Sequence, residues 1–242
     1  INKKKNQIFN LDILYGLFFL IFLSLFLNFF SPLKYFVYIV ILIGLYFFIT
    51  ALKHKKIKIN FLIHLFIIFL LSTVVYSNGD NVDSPMYHLQ IIKWLYNEKI
   101  IFGLPNLEIR FGSNSLWFGI LSLLQINLNN FNSIYTFNLI PFSILFYQIF
   151  NCEKKISFIF INLSILFLLI FSFLHPFSNG IILNHLHNTE VDTVGMIFFI
   201  LSFFLFLKYF EDKKKENLHL LIICSVICLV TKLSYIAVLI FP

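Results

Sequence analysis

Apolar residues in this chain neither alternate with polar ones nor keep to one helical face; they run on for a helix-length at a time, and polar residues gather between the runs. A helix that crosses the hydrocarbon core of a bilayer needs about 20 mainly apolar residues, within a range of about 17 to 25. The runs that qualify are 11–30, 33–52, 60–76, 131–150, 157–174, 193–210 and 219–241, which predicts seven spanning helices. The segment Leu116–Leu128 is equally apolar but too short to cross comfortably.

Charge decides how that segment lies, because Lys and Arg accumulate on the cytoplasmic flanks of spanning helices. With seven crossings, Lys3–Lys5, then Lys53, Lys55, Lys56 and Lys58, then Lys154 and Lys155, and finally Lys208 with Lys213–Lys215 fall on one side, 13 of the 18 Lys and Arg. An eighth crossing at 116–128 would throw Lys154, Lys155, Lys208 and Lys213–Lys215 to the opposite face. The segment is therefore expected to be a juxtamembrane helix at or dipping into the interface, with the N terminus cytoplasmic. The expected architecture is an all-α transmembrane bundle. Residues 1–58 form two N-terminal spanning helices, and 59–242 form a core with external loops 77–130 and 175–192.

Composition agrees with that pattern. The chain is 60% hydrophobic and 12% charged, with a mean hydropathy of +0.90, whereas soluble domains carry roughly 25% charged residues. A soluble core, a disordered segment, a disulfide scaffold and a nucleic-acid module are excluded, and the net charge of +7 reads as a marker of topology. Cys224 and Cys228 lie one turn apart in an apolar run and Cys152 stands alone, which is no metal or thiol motif. The start at Ile1 and the end at Pro242, directly after an apolar run, lead us to expect a piece of a longer protein.

The two external loops, Ser77–Asn130 and His175–Asp192, hold six of the 11 acidic residues: Asp80, Asp83, Glu98, Glu108, Glu190 and Asp192. They also hold His88, His175, His185 and His187, four of the seven histidines. Loops of this length are uncommon without a task. In the first, Ser84-Pro85 is a helix start signal. Beyond it Gln90, Lys93 and Asn97 share one face, while Met86, Ile91, Ile92, Trp94 and Leu95 supply the apolar surface of an interfacial helix. Two readings of Asp83 compete at its head, a local helix-capping acid and a general base or ligand facing a lipid-linked substrate. His88 on the next turn is a packed neighbour or a contact, and Asp80 is explained by solvation of the loop. His185-Leu-His187 with Glu190 and Asp192 nearby invites a metal site, yet an i,i+2 pair diverges in strand or helix, and a hydrated loop accounts for it as well. No repeat, Gly-rich phosphate loop or P-loop is present.

Asp83-Ser-Pro-Met-Tyr-His-Leu, then Trp94, then Gly103-Leu-Pro-Asn-Leu-Glu-Ile-Arg110-Phe-Gly-Ser-Asn-Ser-Leu-Trp117-Phe, resembles the first external loop of bacterial GT-C-type membrane glycosyltransferases. In that superfamily an acid follows the first core helix, two juxtamembrane helices fill the loop, and a second acid stands in the next external loop. The matching parts here are Asp83, the segments near 85–100 and 116–128, and Asp192 at the mouth of the 193–210 helix. Leu229-Val-Thr-Lys232-Leu-Ser-Tyr resembles the Thr-Lys helix of these enzymes, with Leu233-Ser234 where the family often has Gly-Pro. Asp83 is followed by Ser84 where the family commonly has two adjacent acids. The resemblance covers roughly 60–242.

The resemblance implies a GT-C-like bundle that transfers a sugar from a polyprenyl-phosphate-linked donor to a glycan, lipid or protein acceptor. The reaction would take place at the external face of a bacterial inner membrane. It assigns Asp83 as catalytic base, Arg110 and Lys232 as counter-charges to the lipid phosphate, and Asp192 with Glu190 as acceptor-orienting groups. His88, His185 and His187 are further contacts, and the alternative role for Asp192 is to share a divalent cation, Mg or Mn, for which Asp83 is the other candidate ligand. Without any family, Lys232 in a spanning run is either functional or a snorkelling side chain near the helix end. The alternative function is a non-catalytic subunit, flippase or transporter of surface-polysaccharide assembly.

Overall fold

The computed structural model of the chain describes residues 2–53, 65–70, 72, 84–112, 115–126, 134, 137–150 and 191–242. The run at 157–174, Asp80, Asp83, His175, His185, His187 and Glu190 lie outside the described residues. All regular elements among the described residues are helical, with no strand. They are α1 (Asn2–Phe30), α2 (Val37–Lys53), a π-helical turn (Ser84–His88), α3 (Leu89–Asn97) and 3-10 turns at Leu104–Asn106 and Ile109–Gly112. There follow α4 (Trp117–Leu123), α5 (Leu139–Phe150), α6 (Val191–Asp212), α7 (Lys215–Thr231) and a 3-10 helix (Leu233–Ile240).

Two helices are long and apolar enough to cross a membrane, Asp12–Phe30 within α1 (19 residues) and α6 (22 residues). They coincide with the runs expected at 11–30 and 193–210. Between Asp192 and Lys208 α6 carries no charge, and at 1.5 Å per residue its length is about 33 Å, close to the thickness of a bilayer core. The 17-residue α2 is apolar over Val37–Ala51, and Tyr38, Leu42, Tyr46 and Phe47 are each more than 60% exposed. A contiguous apolar surface of that size is one that water does not favour.

The antiparallel pair α6 and α7 forms the centre, with α5 packed on α6 and α1 on α7. The hairpin between them turns at Lys213, whose φ of 52° is the left-handed conformation that ends many helices. Asp212 fixes the turn. Its Oδ1 accepts from the Lys214 amide (3.0 Å) and from Asn217 Nδ2 (3.0 Å), and its Oδ2 pairs with Lys214 Nζ (3.0 Å).

The short α4 is buried on every side from Trp117 to Leu123. It packs between α1 and α3, and at about 10 Å it is too short to cross a bilayer. Its Trp117 indole, with no exposed surface, donates to Asn138 Oδ1 (2.9 Å) at the head of α5. A buried indole N–H of this kind needs a partner. Trp117, Phe118, Ile92, Ile21, Phe198 and Cys224 belong to one continuous core.

The sequence leads one to expect a single helix over 219–241, and there the fold differs. The helix stops at Thr231, Lys232 is extended (φ −153°, ψ 116°), and the chain resumes as the 3-10 helix Leu233–Ile240. No Gly or Pro marks the break; side-chain partners on α6 hold it.

Candidate functional site at the Lys232 break

Lys232 leaves the helical path at the C-cap of α7, and Asp192 lies in the first turn of α6. Because the two helices run antiparallel, these ends meet, and Lys232 Nζ pairs with Asp192 Oδ1. Each charge also suits its own helix end. An anion is favoured at a helix N terminus and a cation beside the last carbonyls. The side chains are 35% and 52% exposed, so water screens the pair and leaves it reachable.

Two features hold the break in place. Tyr235 folds back over α6, its hydroxyl donating to the Asp192 carbonyl (3.2 Å). It can approach so closely only because residue 195 is glycine: a Cβ there would stand 2.5 Å from Tyr235 Cε2 and 2.8 Å from Cδ2. On the other side the Leu116 amide, just before α4, donates to the Val230 carbonyl (2.9 Å). That carbonyl lies in the last turn of α7, where the helix offers no partner of its own. The 84–126 segment is thereby tied to the same end of the bundle as Lys232 and Asp192. Lys208 and Lys213–Lys215 stand at the opposite end of the α6–α7 pair, about 30 Å from Asp192 along the helix axis.

The remaining predicted residues fall as follows. Arg110, in the turn Ile109–Gly112, donates from Nε to Glu108 Oε1 (3.2 Å). Its guanidinium carbon is 6.0 Å from the centre of the Tyr87 ring, at the outer limit of a cation–π contact. That places Arg110 against Tyr87 of the turn Ser84–His88. The Arg110 side-chain bond, reinforced by its backbone amide and opposed by slight desolvation, holds the partly exposed Glu108 carboxyl below its ordinary value of 4.5. His88 is only 4% exposed and lies between the rings of Tyr87 (4.2 Å) and Phe118 (5.2 Å), an aromatic packing position.

Among the described residues no three His, Cys, Asp or Glu side chains converge on a point that could hold a metal ion. The Asp192 carboxylate is turned to an ammonium instead.

Two contributors went unnoticed in the sequence, Gly195 and Tyr235. The lone glycine in the apolar run 193–210 was the available signal, since a glycine inside a helix often marks a close approach.

The chain belongs to the DUF8201 family. This family is a domain of unknown function, and the match takes in residues 1–242, so the α6–α7 ends and the 84–126 segment both fall within it. Neither the comparison with curated proteins nor that with solved structures gives a match.

Proposed function

We propose that this chain is a GT-C-like membrane glycosyltransferase with a bundle of about seven spanning helices, which moves a sugar from a polyprenyl-phosphate-linked donor to an acceptor at the external face. One observation carries the reading. Lys232 and Asp192, 40 positions apart and both assigned to the site by the resemblance, come into contact at a break in an apolar helix. The 84–126 segment, with Arg110, is anchored to the same end.

In this reading the acceptor oxygen attacks the anomeric carbon. The bond from that carbon to the phosphate oxygen breaks, and its electron pair leaves with the lipid phosphate. Asp83 takes the acceptor proton, while Arg110 and Lys232 offset the charge growing on the phosphate. Asp192 holds Lys232 in place until the phosphate competes for it. Taking the basic ends of α6 and α7 as cytoplasmic, this reading assigns the pair to the external face.

The same break favours a second reading. Transporters place charged groups at discontinuous helices, and an acid and a base that neutralise each other also suit a flippase or a non-catalytic subunit of polysaccharide assembly.

The test uses membranes carrying the chain and a radiolabelled polyprenyl-phosphate hexose. The native chain should release label to an acceptor, and Asp83→Asn should lose at least about a hundredfold, the usual contribution of a general base. The exchange Asp192→Lys with Lys232→Asp keeps an ion pair between the two positions but should not support transfer. Full transfer by Asp83→Asn at normal abundance removes Asp83 as the base. Restored transfer in the exchanged pair makes the ion pair structural, whereas no transfer by the native chain leaves the second reading.

A further inference from the structure

The sequence leads one to expect α3 to rest on the membrane by its apolar face, but the structure turns Ile91 and Ile92 of that face into the core and leaves Trp94 and Leu95 half-buried. The exposed apolar side chains stand instead in the loop that follows, where Phe102 is 80%, Leu107 76% and Ile109 82% exposed, with Ile101 beside them. This loop has a defined shape. Gly103, at φ 86°, reverses the chain, and the amides of Asn106 and Leu107 donate to the carbonyls of Gly103 (2.9 Å) and Leu104 (3.0 Å). At its base the Trp94 and Phe111 rings meet edge to face (4.7 Å), and Gly112 lies so close to Pro105 that a Cβ would stand 3.0 Å from its Cγ.

Three hydrogen bonds set the level at which the loop begins. Asn28 Nδ2 donates to the carbonyls of Leu95 (2.8 Å) and Glu98 (2.9 Å), and the Ile100 amide donates to the Asn28 carbonyl (3.0 Å). Asn28 stands two residues, about 3 Å, before the end of the Asp12–Phe30 span. The same end of α1 exposes Phe26, Phe29 and Phe30, so two apolar surfaces lie at one level, the end of a helix fit to cross a bilayer. Residues 100–107 carry no charge, and the charges that bracket them, Glu98 with Lys99 and Glu108 with Arg110, are two of each sign, which gives no pull toward a charged macromolecule. Irregular backbone close to lipid needs its polar groups bonded internally, as the Asn106 and Leu107 amides are. We infer that residues 101–109 insert into the boundary between headgroups and acyl chains of the bilayer beside α1, to a depth of about 5–10 Å. This loop, rather than α3, is then the part of 84–112 that enters the membrane surface. The inference rests on α1 crossing the bilayer and stands whether or not the chain transfers sugars.

The test places an NBD fluorophore on single cysteines of the full chain in phosphatidylcholine nanodiscs, at Phe102→Cys, Leu107→Cys and Ile109→Cys, in a Cys152→Ser background; Cys224 and Cys228 are buried. Phospholipids bearing a nitroxide near the acyl carboxyl or near the terminal methyl report depth, and aqueous iodide reports water. The three loop labels should be quenched at least about twofold more by the shallow nitroxide than by the deep one, as the boundary depth requires, and should be shielded from iodide. The label of Phe19→Cys, at an exposed position near the middle of the α1 span, should reverse that order. The label of Lys215→Cys, at an exposed position in the turn between α6 and α7, should answer chiefly to iodide. Loop labels open to iodide and blind to the lipid nitroxides overturn the inference, as do loop labels shielded from both, which would mark a second copy of the chain over the loop. A Phe19→Cys label that meets no lipid overturns it together with the α1 span, a failure distinct from that of the loop labels alone.

Discussion

Gly195 is the position where one methyl group tests the architecture of the Lys232 break. A Cβ there would stand 2.5 Å and 2.8 Å from two carbons of the Tyr235 ring, against an optimal carbon–carbon separation of about 3.5–4.0 Å. The ring must move by about 1 Å, which stretches the Tyr235 bond to the Asp192 carbonyl from its 3.2 Å. Overpacking of this kind costs about 1–3 kcal/mol. Gly195 is interior to α6, where alanine is intrinsically better than glycine by about 1 kcal/mol. Gly195→Ala should thus be destabilising by up to about 2 kcal/mol in the native background. In Tyr235→Ala the clash is gone, and the same substitution should be stabilising by about 1 kcal/mol. The sign reverses, and the coupling between the two positions is about 1–3 kcal/mol. The assay is reversible unfolding of the four chains in mixed micelles by SDS titration, followed by helical circular dichroism. A Gly195→Ala effect of the same sign and size in both backgrounds would refute the packing of Tyr235 over α6.

Three further outcomes follow from local geometry. Asn138→Leu leaves the buried Trp117 indole N–H without its acceptor and should cost about 1–3 kcal/mol in the same titration, whereas an unchanged midpoint would mean that the indole bonds elsewhere. At the α6–α7 turn, Lys213 has φ 52°, so Lys213→Gly should be stabilising by about 1 kcal/mol and the β-branched Lys213→Ile destabilising; equal effects would deny the left-handed turn. Glu108 should titrate below 4.5 and return toward it in Arg110→Gln, as seen by carboxyl carbon NMR. Because the folded value is the depressed one, any stability from the contact is present above the ordinary value and is lost as pH falls through the folded one. A Glu108 midpoint that ignores Arg110→Gln sinks the pair.

What the sequence discloses here follows the range of the forces involved. The long apolar helices α1 and α6 are legible because each contains a run of helix length without charge, long enough to cross a membrane, and Asp192 and Lys208 bound the uncharged stretch of α6. The stop at Thr231 is not legible. Leu229-Val-Thr-Lys-Leu-Ser-Tyr contains no helix breaker, and the chain leaves the helix because Asp192 and the open flank of Gly195 offer Lys232 and Tyr235 more than another helical turn would. These partners lie 40 residues away and are supplied by the antiparallel neighbour, so no local pattern reports them. The candidate site divides in the same way. Charge in an apolar setting marked Lys232, and the resemblance supplied Asp192, but their contact depends on how α6 and α7 turn about Lys213. His88 was noticed by residue type, and the rings of Tyr87 and Phe118 give it a packing position. Asn28 was passed over inside an apolar run, although a primary amide there has four hydrogen-bonding positions to satisfy. Its Nδ2 meets the end of α3, and its Oδ1 meets nothing. A polar residue two turns or less from the end of a spanning run is thus a sharper guide than the count of apolar residues around it, because burial forces it to find a partner in the fold or in a ligand.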